Sequence, residues 1–137
     1  MRTLLLILIL SFGPSAQADD RLYQAWGGKA GIRAVMDDFV PRLKADARIA
    51  HFFAEVSSRH LAEQLTEQLC QLSGGPCLYE GAEMRAVHEG MGVRRADFNA
   101  LVEQLQAAMQ ARGIAFADQN RMLALLAPMH REIVEPR

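Results

Sequence analysis

The sequence carries no basic stripe, no alternating strand pattern, no apolar run long enough to cross a bilayer, and only two cysteines. Each absence removes a class of reading. Acidic and basic residues alternate along the chain, which leaves no electrostatic footprint for nucleic acid. The cysteines, Cys70 and Cys77, are followed by no C-x-x-C-H signature, so covalent c-type haem attachment has no anchor. The four histidines show no H-x-x-x-H spacing, and no thiols stand where they would complete a zinc tetrahedron. Internal repeats and low-complexity segments are missing as well.

The N-terminus reads differently from the rest. "MRTLLLILILSFGPSAQA" opens on Arg2, runs apolar from Leu4 to Leu10 with Phe12 beyond, and ends on Ala16-Gln17-Ala18. That is the charge, core and small-residue order of a secretory signal peptide. The run is well short of the roughly 20 residues a bilayer core requires. A buried N-terminal helix or an uncleaved anchor is the alternative. The expectation is cleavage after Ala18, leaving one domain over residues 19–137 in the periplasm. Losing Arg2 with that segment leaves 14 basic residues against 16 acidic. A domain of this length, in a chain 50% hydrophobic, can bury a core without staples. In an exported protein Cys70 and Cys77 can pair, closing a short loop worth roughly 2–3 kcal/mol; two buried free thiols flanking a turn is the other reading.

The mature chain reads as helices separated by glycine. "DDRLYQAWGG" is a short helix stopped at Gly27-Gly28. Ile32, Val35, Met36, Phe39 and Leu43 recur at helical spacing over 29–44, with Pro41 expected to kink the helix late. "DARIAHFFAEVSS" is a connector whose Ser57 or Ser58 caps a helix with the stripe Leu61, Leu65, Leu69, Leu72. "SGGPCLYEG" breaks the chain again before a short helix carrying "MRAVHEG". Two long helices follow, one marked by Phe98, Leu101, Val102, Leu105 and Met109. The other is marked by Met122, Leu125, Leu126, Met129 and Ile133. Arg94 precedes the first of these without the usual Ser or Thr cap, an expected cost of roughly 1 kcal/mol. The fold class is all-α.

His88 is the residue this pattern leaves unexplained. It falls among Met84, Val87 and Met91, on what reads as the apolar face of its short helix. A lone histidine there is either a hydrogen-bonded core residue or a ligand. A neutral imidazole buried without a partner costs a few kcal/mol. Coordination to iron would satisfy it, and walls of Met, Leu and Phe would bury a flat apolar macrocycle. His51, His60 and His130 read as solvated, rim and half-exposed positions.

Six stretches then converge: "LYQAWGGKAGIRAVMDDFV", "LKADARIAHFF", "LCQLSGGPCLYEG", "MRAVHEGMGV", "ADFNALVEQLQAAM" and "LLAPMHREIV". In this order, and with the succession GGP…Y.G…M…VH.G.G, the chain resembles the group 1 truncated haemoglobins. The resemblance implies a 2-on-2 helical sandwich enclosing haem b, with His88 as the proximal iron ligand. It aligns Phe53 with the phenylalanine that packs on the porphyrin, and Leu61 and Leu65 with the distal helix. Met84, Arg85 and Val87 fall at proximal positions, with Arg85 a candidate partner for a propionate or else a solvated arginine. Tyr79 falls near the haem edge or else packs within its loop.

Departures from the family pattern bear on chemistry. Val40 stands where a tyrosine is common, and Leu65 where many relatives place a glutamine. A bound gas that gathers negative charge is stabilised by about 1–3 kcal/mol by a hydrogen-bond donor, and this distal set offers none. Faster oxygen release and easier autoxidation are expected, unless Gln64 or Gln68 reaches in; His60 as a sixth ligand is a remoter arrangement. The leading function is binding of O2, CO or NO by a monomer. The alternatives are nitric oxide dioxygenation or peroxidase-like chemistry with an external reductase, and a helical module with no cofactor.

Overall fold

In the computed structural model, residues 19–136 are described; the expected signal peptide, residues 1–18, lies outside them. Seven α-helices are present among these residues and no strands: α1 Arg21–Ala25, α2 Gly28–Ala45, α3 Ser58–Leu72, α4 Met84–His88, α5 Arg95–Ala111, α6 Phe116–Leu126 and α7 His130–Ile133. Short 3-10 turns lie at Ala50–Phe53 and Ala127–Met129. The all-α expectation holds.

α2 is the central element, packing chiefly against α3 and α5. Its repeating apolar face, Ile32, Val35, Met36, Phe39, Val40 and Leu43, is wholly buried. α2 runs through Pro41 as one element, with that ring exposed on the outer side. Trp26 is buried where α1 meets the bundle, and its indole donates to the Asp118 carbonyl at 3.4 Å, tying the first helix to α6. Met109 and Met122 complete the core from α5 and α6; unbranched thioethers fill the irregular space between crossing helices.

Three sequence expectations change. On α3 the core takes Ala62, Thr66, Leu69 and Cys70, while Leu61, Leu65 and Leu72 are only half-buried. Small residues allow α2 to approach closely, and the leucines are turned to the flank. The last long helix is not continuous: a 3-10 turn at Ala127-Pro128-Met129 separates α6 from α7. Pro128 has no N–H to donate and its ring crowds the preceding turn. The cap expected to be missing from α5 is present from the other side. The buried Asp97 accepts the Arg94 backbone N–H at 2.9 Å, with the Arg94 guanidinium against the same carboxylate. Ser57 caps α3 as expected, accepting the His60 N–H at 3.3 Å.

Cys70 and Cys77 are disulfide-bonded, with Cα atoms 5.7 Å apart. The bond fastens the last turn of α3 to the loop that leads into α4.

Candidate haem site

α4 is only five residues long, and it is placed by what surrounds it rather than by its own propensity, since so short a helix is unstable alone. It packs against α7. After it the chain turns at Gly90 and Gly92, both in the left-handed region at φ 77° and 69°, where a side chain would be strained. Glu135 clips that turn: its carboxylate accepts the Gly92 N–H at 3.0 Å and its own amide donates to the Val93 carbonyl.

None of the α4 residues is fully buried. Val87 is 46% exposed and Met91 37%, so the apolar face expected for His88 is a half-open one. Nor is the imidazole without a protein partner. Its Nδ1 lies 2.7 Å from the Met84 carbonyl oxygen. A carbonyl can only accept, so Nδ1 is the donor, and in the neutral ring the lone pair lies on Nε2. The expectation of an unquenched imidazole is corrected: one ring nitrogen is satisfied by the helix's own backbone, and the other is left as a ligand atom.

His88 stands between two clefts. One is lined by apolar groups, among them Phe52, Phe53, Val93, Phe98, Leu101 and Ile133. The other, which His88 also lines, is mixed, with Arg85, Glu89, Arg131 and Glu132 beside Ile133, Val134 and Pro136. An imidazole whose Nδ1 is taken by the backbone, next to an apolar cleft and to a second cleft that carries Arg85 and Arg131 along with Glu89 and Glu132, offers what haem requires: a ligand nitrogen, apolar walls and cations for its carboxylates.

Of the residues singled out in the sequence, Phe53 lines the apolar cleft with His88, and the exposed Arg85 lines the polar one. Met84 is half-buried, with its sulfur 3.6 Å from Gln68 Nε2. Val40 is buried in the core, and Leu61 and Leu65 pack against that core half-buried. Tyr79 lines neither cleft. Its hydroxyl donates to the Ala82 carbonyl at 2.8 Å and its amide to Gln71 Oε1 at 2.6 Å, and burial raises its phenol pKa. His51 and His60 are exposed, and His130 meets Phe98 edge-on at 4.9 Å.

Phe98, Leu101 and Val93 were legible only as helix stripe or linker. Their spacing marks them as inward-facing, but nothing local distinguishes facing a cleft from facing a core.

Residues 21–135 match the bacterial-like globin family. The chain belongs to it. This globin is 32% identical over 94 residues to a group 1 truncated hemoglobin of Tetrahymena thermophila, covering 69% of this chain and 78% of that one. It is 34% identical over 100 residues to the group 1 truncated hemoglobin GlbN of Synechocystis sp., covering 68% and 78%. The crystal structure of truncated hemoglobin from Tetrahymena pyriformis in its Fe(III) form superposes with a TM-score of 0.80 at 29% identity, over 84% of this globin and 98% of that chain. The globin is thus a haem protein that binds diatomic gases.

Proposed function

We propose that this globin holds haem b through His88 Nε2 and binds O2, CO or NO on the opposite side in an apolar distal pocket. The observation that carries this is the 2.7 Å contact of His88 Nδ1 with the Met84 carbonyl beside a cleft walled by Phe53 and Phe98. It leaves one coordinating nitrogen and orients the ring that bears it. Ferrous haem supplies the reversible gas-binding centre. The chain's own contribution is to orient the imidazole, exclude water with Phe52, Phe53 and Ile133, and offer Arg85 to a propionate.

The three side chains that the family resemblance puts on the distal side, Val40, Leu61 and Leu65, carry only hydrocarbon. Peroxidase-like chemistry needs a distal group to move protons, and dioxygenation needs a stably held gas and an external reductase. Neither need is met by these three side chains, so simple binding is the preferred reading. A spectrum of the purified ferrous protein with and without carbon monoxide tests it. A Soret band that shifts on adding carbon monoxide is expected; a chain that stays colourless with added hemin overturns it.

The same reading places the mature globin, residues 19–137, in the periplasm as a monomer. Support comes from the composition of residues 1–18 and from the Cys70–Cys77 bond, since disulfides persist chiefly in oxidising compartments. Mass spectrometry of the protein from a periplasmic extract should find Asp19 at the N-terminus.

A further inference from the structure

Five polar side chains are buried among the described residues: Thr66, Gln68, Ser73, Asp97 and Gln119. Four have strong partners. Thr66 donates to the Ala62 carbonyl at 2.7 Å, Ser73 to Leu69 at 2.7 Å and Gln119 to Ile114 at 2.9 Å. Asp97 accepts from Arg94. Gln68, 7% exposed, is different: its amide nitrogen faces two thioethers, Met84 Sδ at 3.6 Å and Met129 Sδ at 3.8 Å. Thioether sulfur is a weak acceptor, and a buried amide that is weakly satisfied costs stability. As an anchor for the core, an amide is a poor choice at this position.

What it touches gives it a role. Met84 opens α4, one helical turn before His88, and its carbonyl accepts the His88 Nδ1–H. Gln68 therefore holds by the side chain the same residue that holds the imidazole by the backbone. Met129 is the second handle, in the 3-10 turn just before His130 and α7. α7 is the helix against which α4 packs. α4 has no fully buried residue of its own, so its placement rests on half-buried side chains such as Met84 and on its packing with α7.

We propose that Gln68 is a positioning residue for His88: through Met84, and with Met129 steadying it, the α3 amide sets the azimuth and hydrogen-bond strength of the imidazole. This rests on reading His88 as the iron ligand. Groups that orient a ligating histidine tune its basicity and the properties of the metal it holds. A side chain on the gas-binding side of the molecule thus adjusts the opposite, proximal side.

The test is a double-substitution cycle with Gln68→Leu, Met84→Leu and the pair. Gln68→Met serves as a second, unbranched variant should the leucine disturb packing. In the ferrous, gas-free holoprotein, the iron–imidazole stretching band read by resonance Raman should shift in each single variant. The double variant should shift no further than the larger single one. The carbon–oxygen stretch of the carbon monoxide complex should stay in place. A moved carbon–oxygen stretch with an unmoved iron–imidazole band would instead make Gln68 a donor to the gas, and would overturn the proposal. Additive shifts, or none with haem retained, would overturn it as well. The same cycle is read on the haem-free chain from the 15N shifts of the His88 ring, which report the Nδ1–H tautomer. A chain that takes no haem therefore sinks the iron reading alone, and the tautomer populations still decide the coupling: changed by Gln68→Leu if it exists, unchanged if it does not.

Discussion

His88 Nδ1 and the Met84 carbonyl oxygen are 2.7 Å apart, four residues along one short helix. The helix thereby satisfies half of its own histidine. The half-buried imidazole has two nitrogens to satisfy, and α4 supplies one partner from its backbone, so the chemistry of the site is concentrated on Nε2.

Replacing His88 by Ala should abolish the Soret band of the reconstituted protein, and His88→Gly should recover it when free imidazole is added, because the cavity left behind accepts the missing ring. Optical titration with hemin checks both. A His88→Ala protein that binds hemin with an unaltered ferrous spectrum would show that another side chain holds the iron.

A donor introduced at the distal side should slow oxygen release. Val40→Tyr or Leu65→Gln adds a hydroxyl or amide where the wild type has hydrocarbon. A hydrogen bond worth about 1–3 kcal/mol corresponds to a roughly 5- to 150-fold lower off-rate. Stopped-flow oxygen displacement measures it. Val40 is buried, so the tyrosine also has to find room, and the half-buried position of Leu65 makes the glutamine the cleaner variant.

The Cys70–Cys77 bond closes a short loop between α3 and α4. Its removal frees that loop in the unfolded chain and should cost about 2.5 kcal/mol, equivalent to roughly 10 °C in melting temperature for a domain of this size. Thermal unfolding with and without dithiothreitol, compared with Cys70→Ser/Cys77→Ser, gives the number. If reductant lowers the melting temperature of the double variant equally, the bond is not its cause.

The Arg94 guanidinium and backbone N–H hold the Asp97 carboxyl below the usual carboxylate range. A depressed native pKa means a stabilising contribution that is complete above the unfolded pKa, near 4, and is lost as pH falls below it toward the lower native value. Melting temperature against pH should therefore fall less steeply below pH 4 in Asp97→Asn than in the wild type, from a lower plateau at neutral pH. Parallel curves would exclude this carboxylate as the acid-sensitive cap.

Gly31 should resist replacement despite lying inside α2. A glycine-to-alanine change within a helix ordinarily gains about 0.5–1 kcal/mol, but a Cβ here would sit 1.8 Å from the Trp26 carbonyl oxygen, which is backbone and cannot swing aside. Urea unfolding of Gly31→Ala should show a lower midpoint, with displacement of the Trp26 backbone carbonyl as the structural cause.

Much of this globin is written locally. The apolar repeat of α2, the Ser57 cap and the glycine breaks around α4 depend on neighbours a few residues away, because helical hydrogen bonds and caps close over three to four residues. The order of these signals, with His88 between its glycines, was enough to indicate the family and its haem. What the sequence could not determine was which face of each helix meets what. The leucines of α3 form the stronger stripe, yet Ala62, Thr66 and Cys70 enter the core because only small groups let α2 come close. The sequence left the pairing of Cys70 with Cys77 open, and Gln68 between two sulfurs 16 and 61 residues away had to await packing. Contacts across such separations are set by how helices cross, and helical periodicity alone carries no information about crossing.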